Sequence, residues 1–170
     1  NLDKSTQLIS TIIEGADGNY TLTQLKYVKD DKIYQMYFNT NLKPALDFLR
    51  TNSKADAKIL TWWDNGHSIR GYAKRTPITY TPCKEILSTV AKGRWDETTY
   101  GQFSTKDDCT NVAYALLADS PTITKGIMKR YGSEWAFVTK SDKRKLEGMA
   151  LLLGEDIKNY YDDIGAPKEG

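Results

Sequence analysis

Residues 62–66 combine the side chains best suited to bind a hydroxyl group. The stretch reads Trp62-Trp63-Asp64-Asn65-Gly66. A tryptophan N–H only donates hydrogen bonds and an ionised aspartate only accepts them, whereas a hydroxyl does both. The apolar run at 58–61 predicts a strand, and Asn65-Gly66 predicts a tight turn after it. Since neighbouring strand residues point to opposite faces, at most one indole enters the core beneath the sheet, and the other lies with Asp64 at the strand's end.

A second set of side chains, Asp142, Lys145 and Met149, has helical spacing. Positions i, i+3 and i+7 lie on one stripe of a helix, so a carboxylate, an ammonium and a thioether share one face. That face either lines a groove or carries an ordinary surface ion pair worth about 0.2–0.5 kcal/mol, with Met149 in the core. The spacing alone favours the ion pair.

Composition and charge are those of a soluble globular domain. The 170 residues are 27% charged and 39% hydrophobic, which suits one domain that buries about two-thirds of its unfolded surface. A net charge of +2 does not indicate binding to nucleic acid. The longest apolar run, Met149 to Leu153, is far shorter than the roughly 18 residues of a membrane span. Because the chain begins at Asn1 rather than Met, we expect it to be a piece of a longer protein.

The cysteines and the histidine do not predict a metal site. Cys83 and Cys109 form no C-x-x-C motif, and His67 is the single histidine. A zinc site is therefore poorly supported. The two cysteines are either a disulfide, if the domain faces an oxidising space, or two buried thiols.

The first 40 residues predict one helix and one hairpin. Apolar positions 8, 9, 12 and 13 predict an amphipathic helix over Asp3–Glu14 that ends at Gly15. Tyr20–Tyr27 and Ile33–Phe38 alternate polar with apolar residues on either side of Asp30-Asp31. That alternation predicts a β-hairpin.

From Asn41 onward, short strands alternate with helices. The first predicted elements are a helix capped by Asn41 that ends near Thr51, the strand into Trp62, a helix over His67–Lys74 and an extended segment over Pro77–Tyr80. Two helices follow, over Cys83–Ala91 and Lys106–Ala118, with a loop between them, and then a helix over Pro121–Tyr131 between Ser120 and Gly132. The last predicted elements are a strand over Glu134–Val138, a helix from Ser141 to Leu153 and a helix over Glu155–Ile164. We expect parallel pairing between the Trp62 and Glu134 strands. The predicted fold class is mixed α/β, a mainly helical single domain over 1–170 with helices packed around a small sheet, plus the N-terminal β-hairpin.

Both motifs resemble signatures of one enzyme family. Residues 62–66 are similar to the WWDYG motif of the catalytic subunits of oligosaccharyltransferases, with Asn65 where the family usually has Tyr. Asp142, Lys145 and Met149 match the family's D-x-x-K-x-x-x-M/I motif. Flanking segments at 45–50, 71–76, 129–132 and 135–139 also resemble the family, so the likeness covers about 44–153. The chain looks like a compact, archaeal-type C-terminal globular domain that follows a transmembrane region.

The resemblance implies that this domain recognises the acceptor in protein N-glycosylation. Enzymes of the family transfer a lipid-linked glycan to the asparagine of Asn-X-Ser/Thr sequons, and their tryptophans and aspartate bind the Ser/Thr hydroxyl. The expected acceptor-binding residues are Trp62, Trp63, Asp64, Lys145 and Met149, and the expected supporting residues are Asn65, Gly66 and Asp142. A contact of Met149 with the threonine methyl group would favour Thr over Ser by about 1 kcal/mol or less.

The resemblance also places the reaction outside this chain. The family's chemistry uses a divalent metal ion, Mn or Mg, and carboxylates on external loops of the transmembrane portion. We therefore expect no catalytic residue, cofactor or metal ligand here, and no activity of this chain alone. Thr11-Ile12-Ile13-Glu14 spells the family's T-I-x-E motif, but that motif belongs between membrane spans, so we interpret it as a chance match.

The expected partners follow from the same resemblance. They are an acceptor polypeptide, the lipid-linked oligosaccharide bound through the missing portion, and the protein's own transmembrane region, without nucleic acid. The full-length protein is expected in the membrane, with this domain on the external, non-cytoplasmic face.

Two other functions suit the same residues. A stand-alone carbohydrate-binding module would use Trp62, Trp63 and Trp95 as flat, exposed sugar platforms. A soluble glycosidase would pair Asp64 with Asp96 or Glu97 and would turn over substrate without any other polypeptide. The recognition domain predicts neither sugar binding nor turnover by this chain alone.

Overall fold

The computed structural model of the protein describes residues 9–14, 21–29, 32–90 and 103–160, with side chains described over 41–87 and 103–160. The chain forms two compact units, Asn1–Asn52 and Ser53–Gly170. The single domain predicted over 1–170 remains a prediction. The mixed α/β fold class, with helices around a small sheet and an N-terminal β-hairpin, is confirmed.

The first unit carries an antiparallel three-stranded sheet. Its strands are β1 (Ile9–Glu14), β2 (Thr21–Lys29) and β3 (Lys32–Asn39), in that order across the sheet. The predicted hairpin is confirmed, since β2 and β3 pair from Leu22 opposite Asn39 to Lys29 opposite Lys32. A 3₁₀ turn over Thr40–Leu42 then leads into helix α1, Lys43–Asn52. Asn41 lies inside that turn rather than directly before the helix.

The predicted helix over Asp3–Glu14 is wrong for residues 9–14, which form β1. Ile9, Thr11, Ile12 and Ile13 are β-branched, and such side chains lose rotamer freedom in a helix but pack well on a pleated sheet. Strand β2 supplies the edge on which this segment pairs. Residues 3–8 lie outside the described residues.

The second unit is built on a parallel sheet of three short strands. These are β4 (Lys58–Leu60), β5 (Thr76–Pro77) and β6 (Ser133–Ala136), with β4 in the centre. The predicted parallel pairing of the Trp62 and Glu134 strands is confirmed, because Ile59 lies opposite Trp135 and Leu60 opposite Ala136. The Phe137 N–H donates to the Leu60 carbonyl at 2.8 Å and carries the pairing one residue further.

Helices cover this sheet and supply most of the core. They are α2 (Trp63–Ser68), a π-helical turn that continues it (Ile69–Ala73), α3 (Lys84–Val90), α4 (Lys106–Leu117), α5 (Pro121–Tyr131), a 3₁₀ helix (Lys140–Lys145), α6 (Leu146–Leu153) and a short 3₁₀ turn (Ile157–Asn159). The last predicted helix is therefore reduced to that turn among described residues, and 161–164 lie outside them. No described helix has the length and apolar character needed to cross a membrane.

The tight turn predicted at Asn65-Gly66 is wrong. Both residues lie inside α2, which begins at Trp63 after the strand has ended at Leu60. Gly66 is needed for close packing, because a Cβ there would lie 2.5 Å from Tyr80 Cα and closer still to the Thr79 carbonyl oxygen. The glycine thus lets α2 lie directly on the chain that follows β5.

Helix ends follow side-chain capping, with one correction. Ser120 caps α5 as predicted, and Gly132 ends it in the left-handed conformation at φ 65°. The predicted cap at Ser141 is wrong, because Thr139 is the capping residue of the Lys140–Lys145 helix. Thr139 and Asp142 form a reciprocal capping box, in which each side chain accepts from the other's backbone N–H.

The hydrophobic core joins α3, α4 and α6 to the end of β4. Its buried members include Leu60, Trp62, Val112 and Met149. Cys83 and Cys109 also lie in it as free, fully buried thiols. A hydrogen bond between these thiols lowers the pKa of Cys83 and, together with burial, raises the pKa of Cys109.

Candidate functional site

The two sequence motifs meet at a cleft of about 360 Å³. One wall begins at the end of β4 and continues into α2, and the other is the Lys140–Lys145 helix with α6. Helix α3 contributes one apolar side chain to the cleft. The lining residues are Trp62, Trp63, Asp64, Ile86, Arg144, Lys145, Glu147, Gly148 and Leu151.

The two tryptophans have different environments. Trp62 is extended, directly precedes α2 and is only 3% exposed, so its indole belongs to the core. Trp63 starts the helix and is half-buried against that core. This division agrees with the expectation that only one indole enters the core and the other accompanies Asp64.

Lys145 joins the two walls of the cleft. Its ammonium forms an ion pair with Asp64 Oδ2 and a second one, at 3.1 Å, with Asp142 Oδ1. The second pair is the i,i+3 contact that the spacing favours. The first pair spans 81 residues of sequence and connects the aromatic motif to the helical one.

Asp142 is the buried centre of this arrangement. Only 4% of the residue is exposed. Its carboxylate accepts from the Asn65 amide at 3.1 Å to each oxygen and from the Thr139 backbone N–H at 2.7 Å, in addition to Lys145. Asn65 thus holds the second motif against the first.

Two buried polar atoms on residues that line the cleft have no hydrogen-bond partner among the described residues. Among described residues, three buried side-chain polar atoms are unpartnered, namely Trp63 Nε1, Asp64 Oδ1 and Thr110 Oγ1. The first two are a donor and an acceptor on consecutive residues that both line the cleft. A buried polar group without a partner costs about 1–3 kcal/mol, so such groups are rare in native proteins.

The electrostatics of the cleft weaken the acidity of Asp64. Burial raises the pKa of this carboxyl group, the hydrogen bond and charge of Lys145 lower it, and the negative charge of Asp142 raises it, with burial the largest effect. One turn further along α2, burial and the nearby Arg70 guanidinium lower the pKa of His67. That imidazole meets the Tyr80 ring edge-on at 6.0 Å between centroids, and Arg70 lies 4.6 Å from the centre of the same ring.

Met149 does not line the cleft. Its side chain is fully buried in the core on α6, whereas Asp142 and Lys145 belong to the preceding 3₁₀ helix. The three residues therefore do not present one continuous stripe to a groove. The predicted contact of Met149 with an acceptor threonine stays a prediction.

Sequence reasoning missed the residues that supply the rest of the lining. Arg144, Glu147, Gly148 and Leu151 stand at i, i+3, i+4 and i+7, the spacing of one helix face, and that periodicity was available as a signal. The half-exposed Leu151 is an apolar member of this face. Ile86 has no such signal, because its place in the cleft depends on how α3 packs.

The residues expected for a carbohydrate-binding module or a glycosidase are either too deeply buried or outside the described range. Trp62 is too deeply buried to serve as a flat sugar platform. Trp95, Asp96 and Glu97 lie outside the described residues. Over 9–14, 21–29, 32–90 and 103–160, no group of three His, Cys, Asp or Glu side chains is placed to hold a metal ion.

Comparison with known proteins gives one short match in sequence and one likeness in structure. No protein-family model matches the chain. Over 42 residues the chain is 45% identical to the dolichyl-phosphooligosaccharide-protein glycotransferase 2 of Pyrococcus furiosus, a match that spans 25% of this chain and only 6% of that protein. This match confirms the resemblance that the two motifs indicate. The C-terminal globular domain of an oligosaccharyltransferase from Archaeoglobus fulgidus is similar in structure, with a TM-score of 0.48 and 16% identity over 75% of this chain and 73% of that one.

Proposed function

We propose that this chain is the acceptor-recognition domain of a membrane oligosaccharyltransferase, and that its cleft binds the Ser or Thr hydroxyl of an Asn-X-Ser/Thr sequon. One observation carries the proposal. Trp63 Nε1 and Asp64 Oδ1, a donor and an acceptor on adjacent residues, are buried at the cleft without partners.

A hydroxyl group satisfies both atoms at once. It accepts a hydrogen bond from the indole N–H and donates one to the carboxylate oxygen. A methyl group or hydrogen at the same place leaves both atoms unpaired. Sites that hydrogen-bond a substrate hydroxyl reject analogues without it by about 10⁴-fold, because the buried polar groups then lose all their partners.

Lys145 keeps Asp64 in the form that accepts this hydrogen bond. Burial favours the neutral carboxylic acid, and the ammonium on Oδ2 opposes that effect. An ion pair on one oxygen leaves the other oxygen as the acceptor. The ion pair thus orients the carboxylate and opposes its protonation.

The cleft also offers an apolar wall for the methyl group of threonine. Ile86 and Leu151 line it, while Met149 lies behind it in the core. A buried methyl group contributes about 0.8 kcal/mol, so we expect a modest preference for Thr over Ser. Equal transfer to Asn-X-Ser and Asn-X-Thr peptides would contradict this part of the proposal.

The remaining features of the enzyme are assigned to the rest of the protein. The two motifs and the match to the Pyrococcus furiosus glycotransferase support an enzyme that transfers a lipid-linked glycan in N-glycosylation. We assign that enzyme to the membrane and this domain to its external face. Metal-dependent chemistry, with Mn or Mg, belongs in this proposal to the transmembrane portion. The chain alone recognises the acceptor and does not transfer the glycan.

The test is glycan transfer to Asn-X-Thr peptides by the full-length protein that contains this chain. Asp64→Asn removes the negative charge and replaces one acceptor oxygen with an NH2 group, which only donates. Trp63→Phe removes the indole N–H donor. We expect each to lower kcat/KM at least about 100-fold while the domain stays folded. Asp119→Asn and Trp135→Phe make the same chemical changes away from the cleft and should transfer normally. Wild-type transfer by the Asp64→Asn enzyme would refute the proposal.

A further inference from the structure

Four side chains close a ring of polar contacts between the two motif segments. Asp64 and Asn65 are neighbours on α2, and Asp142 and Lys145 share the 3₁₀ helix. Asn65 donates to both oxygens of Asp142 at 3.1 Å, Lys145 donates to Asp142 Oδ1 at 3.1 Å, and the Lys145 ammonium pairs with Asp64. Removing any one member opens the ring.

We propose that Asn65 is a positioning residue for the acceptor-binding cleft: by holding the Asp142 carboxylate, it places Lys145 on one oxygen of Asp64 and so presents the other oxygen, Oδ1, to the acceptor. This inference rests on the proposed function, because it assigns a role at the same cleft. It adds a residue that touches neither the cleft nor the acceptor, since Asn65 is not part of the lining.

The chemistry of the ring explains why an amide stands at position 65. Asn65 is 5% exposed and Asp142 is 4% exposed, so their contact is shielded from water. A buried carboxylate requires donors around it, and the Asp142 group has three, namely the Asn65 amide, the Thr139 N–H and the Lys145 ammonium. A neutral amide donates to both oxygens without neutralising the carboxylate, so Lys145 still pairs with Asp142 Oδ1 and also reaches Asp64.

Opening the ring at Asn65 changes the charge balance around Asp64. Burial and Asp142 raise the pKa of Asp64, and Lys145 lowers it. The other charged groups near this carboxyl are Arg144 and Glu147 across the cleft and His67 on its own helix. When Lys145 is no longer held in place, burial acts with less opposition, so ionisation of Asp64 shifts to higher pH.

The experiment measures kcat and KM for an Asn-X-Thr peptide with the full-length enzyme across about pH 5 to 8. Asn65→Ala should raise KM about tenfold, leave kcat within about twofold, and move the acidic limb of kcat/KM to higher pH, as expected for lost ground-state binding. Asn65→Ser keeps a donor and removes less volume, so it should fold where the alanine variant does not and give an intermediate KM. Asn111→Ala is the matched control, because it deletes an amide hydrogen bond to Tyr131 between α4 and α5.

A double-mutant cycle separates positioning from a merely structural role. If Asn65 acts through Lys145, Asn65→Ala has little further effect on KM in a Lys145→Gln enzyme. Full additivity of the two changes, or an unchanged KM and pH profile in the single Asn65 variants, would overturn the inference. If Asp64→Asn itself keeps wild-type KM and kcat, the proposed function fails; if Asp64→Asn abolishes transfer while Asn65→Ala does not alter it, only the inference fails.

Discussion

Two polar clusters in the second unit differ in whether their buried hydrogen-bonding groups are paired. Between α4 and α5, the Tyr131 hydroxyl donates to Asp108 at 2.7 Å and accepts from the Asn111 amide at 3.0 Å. Each group there is paired with another side chain. At the cleft, Trp63 Nε1 and Asp64 Oδ1 are buried and unpartnered.

The difference separates groups that hold the fold together from groups that await a ligand. A satisfied hydrogen bond adds about 0.5–1.5 kcal/mol to stability, whereas an unsatisfied buried group costs about 1–3 kcal/mol. The α4–α5 cluster therefore stabilises the domain, and the cleft destabilises it until an acceptor is bound. Removing a polar group should accordingly lower stability in the α4–α5 cluster and raise it at the cleft, whereas substitutions that disturb the packing or capping of the cleft walls should lower it.

The largest effect is expected where the cleft rests on the chain after β5. Gly66→Ala places a Cβ 2.5 Å from Tyr80 Cα, so α2 must move away and take Trp63 and Asp64 with it. We expect a loss of about 2–3 kcal/mol in the free energy of unfolding, measured with urea. Gly71→Ala is the control, because nothing lies within 4 Å of its Cβ, and its stability should be unchanged or slightly higher. Equal stability of the two variants would contradict the packing role of Gly66.

The satisfied cluster is broken by Tyr131→Phe. The substitution removes the hydroxyl that links Asp108 to Asn111 and leaves the phenyl ring in place. We expect a loss of about 1–2 kcal/mol in the free energy of unfolding. Tyr160→Phe removes an exposed hydrogen bond to Glu155 and should change stability by less than about 0.5 kcal/mol. If both variants match the wild type, the α4–α5 cluster contributes no stability and the contrast with the cleft is lost.

A smaller effect is expected at the cap that anchors the second wall of the cleft. Thr139→Ala removes the side chain that caps the Lys140–Lys145 helix, and we expect a loss of about 1 kcal/mol in thermal or urea unfolding. Ser141→Ala, at the cap predicted from sequence, should cost less than about 0.5 kcal/mol. The reverse order would show that Ser141 is the functional cap in solution.

The smallest effect tests the cost of the cleft itself. Because burial raises the folded-state pKa of Asp64 above its ordinary value of 3.8, folding is favoured while the group is protonated and loses stability as pH rises through the folded pKa. Asp64→Asn carries no such charge. Its free energy of unfolding relative to wild type should therefore increase as pH rises from about 3.8 through the higher folded-state pKa of Asp64, and then level off. A relative stability that stays level over this range would show that Lys145 fully compensates the ionised Asp64, and one that falls would show that it more than compensates it.

The sequence contained the two motifs, and the family resemblance implied that they serve one site, but neither predicted the local structure that presents them. Hydrogen-bonding capacity and aromaticity single out Trp63 and Asp64, the resemblance adds Lys145, and short-range capping rules identify α5. The helix around Asn65 was missed because a turn signal in the sequence is overruled by tertiary contacts, the amide of Asn65 with Asp142 and the backbone of Gly66 with Tyr80. Local patterns do not contain contacts of that range.

The apolar residues of the second motif likewise show that local patterns identify candidate residues but not where the fold places them. Met149 has the spacing of a site residue, yet its side chain lies in the core beneath α6. Leu151, on the neighbouring face of that helix, lines the cleft instead. The outcome depends on the phase with which the 3₁₀ helix passes into α6. A change from three to about 3.6 residues per turn rotates every later side chain, and sequence periodicity does not locate where that change occurs.

The parallel arrangement of β4 and β6 has a consequence for how the domain is made. The contacts that join the two walls of the cleft link residues 77 and 81 positions apart, so they form only after most of the unit has been synthesised. Long-range contacts of this kind close slowly, because the loop entropy is lost before the contacts compensate for it. A nascent chain that ends before Thr139 already contains the aromatic motif but lacks the Lys140–Lys145 helix and α6, which form the other wall of the cleft. Acceptor binding should therefore appear late and all at once during folding.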